Sequence, residues 1–287
     1  MTSSPPHDGK ISVLVPAGNE EHNIAACLES LSWADEIVVV DSFSTDRTVE
    51  LARPRCTRLL QHEYINSAAQ KNWAIPQLAH EWAMVVDADE RVTPELAAEI
   101  MTIVRRPWEP SQPAAYRIYR LNHFLGRRVR FCGWQNDDVT RLFRRSRSRY
   151  LERHVHADLE VDGTTGVLRH KLLHYTFRSF DQYMRKFDRY TSWAAHDRAR
   201  HTPRVRWYHL TLRPLGRFLK QYVLKQGFRD GLAGLIICML SAFSVFLKYA
   251  KLWELQVTGG AAQEPPAEGD ASTHAVTSAE PPSPSGP

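Results

Sequence analysis

Asp87 and Asp89 are two carboxylates one residue apart, directly after the apolar run Trp82–Val86. At the carboxyl end of a strand, such a pair can hold a hard divalent cation, Mg²⁺ or Mn²⁺, against a diphosphate. The same triplet also reads as a turn before a helix starting at Pro94, and the triplet alone leaves both readings open. Nitrogen ligands are available as well. His154 and His156 alternate on a candidate strand, and His170 and His174 share a face in a strand-like context. Such histidines are more often satisfied core or loop residues than a zinc site. Asp137 and Asp138 precede Arg141 by four and three residues, and one of them reads equally well as an ion-pair partner of Arg141 or Arg144.

These groups matter only if the chain gathers them. Short continuous apolar runs at Ile11–Val15, Ile37–Val40 and Trp82–Val86, with a weaker one at 57–60, alternate with helical patterns. The first helix has Asn19 as its expected cap and Ile24, Cys27, Leu28 and Leu31 on one face. Ser44 is the expected cap of the second, Ser67–Leu78 forms a third, and Thr93–Arg106 a fourth with Pro94 at its first position. Apolar strands alternating with helices specify a parallel sheet covered on both faces. Ligands then bind outside the carboxyl ends of the strands, which puts Pro16–Glu20, Asp41–Asp46 and Asp87–Asp89 on one rim. Farther on, Tyr116–Leu121, Leu142–Arg144 and Leu168–Leu173 alternate, as expected of antiparallel strands added to that sheet.

Charge is divided along the chain. The overall net of +5 combines −9 over residues 1–104, +17 over residues 105–230 and −3 over residues 231–287. The basic middle calls for an anionic partner: nucleic acid, a phosphorylated substrate or a membrane surface. No zinc finger, RNA-recognition signature or recognition-helix pattern supports nucleic acid. The four cysteines contain no CxxC pair, which fits a reducing compartment, and the polar N-terminus has no secretory signal. After Pro214 an amphipathic stripe carries Leu215, Phe218, Leu219, Tyr222 and Val223, with Arg217, Lys220 and Lys225 off the stripe. The uncharged segment Leu232–Leu247 follows. At ~24 Å as a helix it falls short of the ~30 Å hydrocarbon core, so an interfacial or re-entrant helix is expected.

Four segments carry a resemblance: Ile11–Glu20, Val38–Thr48, Ala69–Ala74 and Val85–Glu90. In order and spacing they resemble the family 2 glycosyltransferases of GT-A fold, over about residues 10–177. The run Gly133–Arg145, with Val155-His156 and Leu173-His174-Tyr175, resembles bacterial lipopolysaccharide core glucosyltransferases of the WaaE/KdtX-like type, which act on the inner-core heptose. Two departures stand out. Pro16-Ala17-Gly18-Asn19-Glu20 lacks the aromatic that often stacks on the base, and Ser42 stands where an aspartate commonly reads the nucleobase.

The resemblance implies a division of labour. Pro16, Asn19, Glu20, Asp41 and Ser42 would line the nucleoside pocket, and Lys71 would lie near the uracil or phosphates. Asp89 would ligate Mg²⁺ or Mn²⁺ directly, with Asp87 nearer the ribose or the metal's waters. His174 or His156 would be a late metal ligand. Asp137 is favoured over Asp138 as the base. Asn19 and Asp46 read equally as braces of helix starts. The implied activity is transfer of a hexose, glucose from a UDP-sugar donor, with inversion onto a lipopolysaccharide core acceptor. The implied place is cytoplasmic, peripherally on the anionic inner-membrane surface. A polyprenyl-phosphate acceptor, or a non-catalytic membrane-surface protein keeping the fold, are the alternatives. The expected organisation is an unstructured 1–8, a GT-A domain at 9–177, a basic helical membrane-associated region at 178–257, and an unstructured 258–287.

Overall fold

The computed structural model describes residues 8–134, 137–151, 158–177, 179–199 and 201–259. The expected unstructured ends fall almost wholly outside them. The sheet is built first from β1 (Ile11–Ala17), β2 (Glu36–Asp41), β3 (Arg58–Gln61) and β4 (Trp82–Val85), all parallel in the order β3-β2-β1-β4. Alternate residues of β1 serve two cores. Val13 and Val15 face the helices α1 (Ile24–Glu29), α2 (Thr48–Ala52) and α4 (Pro94–Val104), while Leu14 faces α3 (Ser67–Ala74). Burial on both faces explains why these strands read as unbroken apolar runs.

The remaining strands extend the sheet past β4. A short β5 (Glu90–Arg91) precedes β6 (Ala115–Phe124), which forms a hairpin with β7 (Arg127–Arg128). β8 (Asp138–Arg144) lies antiparallel between β4 and β6, so β6 runs in the direction of β4. β9 (Ser148–Tyr150) and β10 (Leu159–Val161) pair separately. The antiparallel strand expected at Leu168–Leu173 is instead two pieces, β11 (Thr165–Val167) and β12 (Leu172–Phe177), both parallel to β6. Glu99 on α4 causes the break: its carboxylate accepts the backbone N–H groups of Arg169 (2.9 Å) and His170 (3.0 Å), drawing them out of the ladder.

Helix α4 starts as its sequence demands, with the Thr93 hydroxyl accepting from the Leu96 N–H at 3.3 Å and Pro94 at the first position. Thr93→Ala is expected to cost about 1 kcal/mol, measured as a lowered urea midpoint with an unchanged slope.

The C-terminal region comprises α5 (Phe180–Ala199), α6 (Trp207–Leu210), α7 (Leu212–Leu219), a π-helical turn at Lys220–Leu224, and α8 (Gly231–Val257). The apolar segment is thus longer than its uncharged stretch: α8 has 27 residues, ~40 Å at ~1.5 Å each. By length and composition Gly227–Val257 is apolar enough to cross a membrane. In the fold, however, α8 packs along α5 and α7, burying Gly234, Ile237, Cys238, Tyr249 and Leu252.

A clasp joins α8 to the sheet. The Asp230 carboxylate accepts the backbone N–H groups of Arg130 (3.0 Å) and Phe131 (2.8 Å), just beyond β7. Cys132 and Cys238 are both fully buried at this junction. A Cβ on Gly234 would run into the Gly227 carbonyl, so only glycine permits this approach.

Candidate active site

β4 ends on the rim, and the turn Asp87–Asp89 leads into β5. Glu90, fully buried, accepts the Asp87 N–H at 3.0 Å and so shapes the turn. Arg141, only 5% exposed, donates to both Asp87 and Glu90, the latter at 2.7 Å. A β-bulge aims it. Tyr116 pairs with Leu142 and Arg117 with Thr140, leaving Arg141 as the extra residue of β8, its side chain turned inward. Lys71 on α3 brings its ammonium within 3.9 Å of Asp87 and over the Tyr150 ring.

Strands β6 and β12 continue this polar chain. Arg120 lies 3.5 Å from Glu90 and grips Asp137 through two bonds of 3.0 and 2.7 Å. Asn122, 2% exposed, donates its amide to Asp137 at 2.8 Å. Its carbonyl oxygen therefore faces His174 Nδ1, at 2.6 Å, and accepts from it. That puts a proton on Nδ1 and turns Nε2 toward Asp89 Oδ2, 3.6 Å away. Lys71, Asp87, Glu90, Arg141, Arg120, Asp137, Asn122, His174 and Asp89 thus form one connected set.

Acidities follow from these neighbours. Enclosure works against ionising Asp87, yet the Arg141 guanidinium and Lys71 ammonium outweigh it and hold the carboxyl well below the usual range. Burial pushes Glu90 up; Arg141 opposes the rise and the Asp87 charge adds to it. Burial also pushes Asp137 up, but the Arg120 fork and the Asn122 amide bring it below an ordinary aspartate.

The nucleoside-side candidates lie at the ends of β1 and β2. Asn19 does not cap α1, which starts at Ile24. It adopts a left-handed backbone (φ 54°), and its side-chain oxygen accepts the Thr45 N–H at 2.9 Å, from across the rim. Ser44 does not cap α2 either. Its hydroxyl donates to Asp41 and accepts the Asn19 N–H at 2.8 Å. Asp46 braces two helix entries by accepting from the Thr48 N–H (2.9 Å) and the Glu21 N–H (3.0 Å). The Glu20 N–H donates to Thr48 Oγ1 at 2.7 Å, and its carboxylate accepts from Asn23. Asp41 is fully buried and also receives Gln61 at 3.2 Å, so it anchors the loop from within. Ser42 Oγ accepts from Gln70 at 2.7 Å, and Pro16, one residue before the end of β1, lies beside Val40.

Several expectations need correction. Neither Asp137 nor Asp138 pairs with Arg141 or Arg144: Asp138 meets Arg117 at 3.1 Å, and Arg144 is buried against Glu81 at 3.3 Å. Arg141 and Arg144 are therefore internal, and neither adds to the surface charge of the basic middle that an anionic partner would meet. His170 pairs with Glu99 at 2.8 Å, away from His174, while His154 and His156 lie outside the described residues. Among the described residues, no three His, Cys, Asp or Glu side chains form a complete protein cage for a metal. Sequence reasoning overlooked Glu90, Arg120 and Asn122 as site residues. The signal for the last two was present: Arg120 and Asn122 share one parity on β6, toward the rim.

Carboxylates, a lysine and a histidine gathered beyond the strand ends of an α/β sheet make the kind of polar site a phosphorylated substrate needs. The glycosyl transferase family 2 model matches residues 12–172, and the chain belongs to that family. It is similar to the lipopolysaccharide core biosynthesis glycosyltransferase LpsC of Rhizobium meliloti (strain 1021), with 30% identity over 263 residues, 85% of this chain and 92% of that protein. An uncharacterized glycosyltransferase of Rickettsia prowazekii (strain Madrid E) is 26% identical over 258 residues, 86% of this chain and 88% of that one. Among solved structures, the mannosyltransferase PcManGT from Pyrobaculum calidifontis, in complex with GDP-Man and Mn²⁺, aligns with a TM-score of 0.45 at 17% identity, covering 88% of this chain and 79% of that one.

Proposed function

We propose that this family 2 glycosyltransferase transfers glucose from UDP-glucose, with inversion, to a heptose hydroxyl of the lipopolysaccharide inner core. The observation that carries the reading is the unbroken polar chain from Lys71 to Asp89, which puts a candidate base and a candidate metal pair at opposite ends of Asn122. The similarity to a protein named for lipopolysaccharide core biosynthesis supports the acceptor.

Asp89 and His174 fit a divalent cation. Their 3.6 Å separation lies within the ~4.2 Å that two ligands at ~2.1 Å can bridge, and an imidazole nitrogen and a carboxylate oxygen are both donors such a cation accepts. Diphosphate oxygens and water would complete the coordination, with Asp87 nearer the ribose or those waters. Bound there, Mg²⁺ or Mn²⁺ would stabilise the charge on the departing UDP. The chain's own residues do the rest. Lys71 adds positive charge beside the phosphates. Asp137 takes the proton of the acceptor hydroxyl as its oxygen attacks the anomeric carbon and the bond to the diphosphate breaks on the opposite face. Arg120 and Asn122 orient that carboxylate. Pro16, Asn19, Glu20, Asp41 and Ser42 shape the nucleoside end.

The same reading sets the protein on the cytoplasmic face of the inner membrane. Leu215, Leu219, Val223, Leu224 and Phe228 are exposed along α7 and the turns after it. Arg213, Arg217, Lys220, Lys225 and Arg229 are exposed beside them, a pairing suited to an anionic bilayer surface. A panel of UDP-sugars offered with heptose-terminated cores should give turnover with UDP-glucose. No transfer from any UDP-sugar to any truncated core would sink the proposal.

A further inference from the structure

A cavity of about 280 Å³ lies between α5 and α8, lined by Phe177, Tyr183, Phe187, Tyr190, Ala194 and Lys248 among others. Its aromatic rings form a continuous wall: Phe177 and Tyr183 are 4.8 Å apart, Tyr183 and Phe187 5.6 Å, and Phe187 stacks on Phe243 at 5.8 Å. Phe243 and Phe246 are exposed, so the wall runs outward onto the apolar face of α8. Tyr190 and Met184 add exposed apolar surface on α5.

The wall ends in positive charge. Lys248 rests over the Tyr249 ring at 4.9 Å, and no described carboxylate pairs with it. Burial and the nearby guanidiniums of Arg198, Arg213 and Arg217 lower its pKa. Arg213 donates to the Tyr249 hydroxyl and Arg217 to Ser241 Oγ at 2.9 Å, so neutral acceptors hold both and leave their charge uncompensated. Asp188, the acid of α5 that faces α8 here, is taken by Lys251 at 2.7 Å. An apolar slot with Lys248 in its lining, and the Arg213 and Arg217 guanidiniums near that lysine, suits an alkyl chain with an anionic head.

We propose that this groove binds one acyl chain of an anionic phospholipid of the bilayer, the chain against the aromatic wall and the phosphate against Lys248, Arg213 and Arg217. The bilayer is the source because the wall opens onto the exposed apolar face of α8, a clause that rests on the membrane-surface reading above. The bound lipid tethers α5 and α8 to the membrane through a specific contact, in addition to general surface attraction.

Calorimetry on the full chain with dihexanoyl-phosphatidylglycerol below its micelle concentration tests this. One lipid should bind per chain, with dihexanoyl-phosphatidylcholine about tenfold weaker, the worth of one charge-assisted contact. Ala194→Phe fills the groove and should remove the binding. Lys248→Gln, a milder change that serves should the first variant not fold, should erase the preference for the anionic lipid. Undiminished binding by a folded Ala194→Phe, or equal affinity for the two lipids in the unmodified chain, would overturn the proposal. Sedimentation with mixed phosphatidylcholine and phosphatidylglycerol vesicles reports the surface reading separately. If the unmodified chain binds the monomeric lipid but does not sediment, the groove and its ligand chemistry stand, while the surface reading falls and takes with it the bilayer as source and the tether.

Discussion

Asp137→Asn is expected to lower kcat by about 10²–10⁴-fold, the usual worth of a positioned general base, with KM for the sugar donor little changed. The amide keeps the size of the carboxylate and one acceptor for Arg120 but cannot take the hydroxyl proton. The Asp137 carboxyl titrates below an ordinary aspartate because Arg120 and Asn122 hold its charged form, so it is ionised and oriented before the acceptor arrives. Asp138→Asn is the control. Its carboxylate meets Arg117 at 3.1 Å, outside the chain that leads to His174 and Asp89, and its loss should change kcat only slightly. The reverse pattern in steady-state kinetics would move the base to Asp138. Full activity in both variants would favour a phosphate acceptor, which needs no strong base.

Arg141→Met should destabilise the fold by about 3–5 kcal/mol, because removing one member of a buried ion set strands the others. Glu90 has no exposed surface, and its shortest contact to a cation is the 2.7 Å bond from Arg141; Arg120 stands farther off at 3.5 Å. Asp87 would keep Lys71 at 3.9 Å but lose its main counter-charge. The melting temperature should fall on the order of 10 °C, and activity should fall with it because the Asp87–Asp89 turn loses its brace. A double variant, Arg141→Met with Glu90→Gln, should recover part of the stability. A melt unchanged by Arg141→Met would show that the ion set contributes little to the fold.

Much of this arrangement was legible in the residues. Unbroken apolar runs announced the parallel strands, and the rule that ligands sit beyond their carboxyl ends put Pro16–Glu20, Asp41–Asp46 and Asp87–Asp89 on one rim, whereas Lys71 was implied only by the family resemblance. What escaped was non-local. Asn19 has the composition of a cap, yet its partner is Thr45, 26 residues on, and that bond holds it in a left-handed turn. Arg141 reads as one more charge in a basic run because a bulge has no signature in composition, and one extra residue in β8 is what turns it inward. Glu90 directly follows the two aspartates in sequence, but its role depends on full burial, which only the packed sheet reveals. The parallel direction of β12 was equally hidden, since Glu99 on a distant helix breaks the run.

The clasp between α8 and the loop after β7 has a consequence for reach. Asp230 on Arg130 and Phe131, the Cys132–Cys238 junction and the glycine approach at Gly234 leave no hinge at that point between the apolar helix and the sheet. With α8 lying on a bilayer, the rim would stand at a set height above the lipid surface. The enzyme would then work as a gauge. On the proposed function, a hydroxyl would be glycosylated when the saccharide beneath it is long enough to lift it to Asp137, and passed over when it is too short or too long. Acceptor choice would depend on altitude as well as on the chemistry of the sugar.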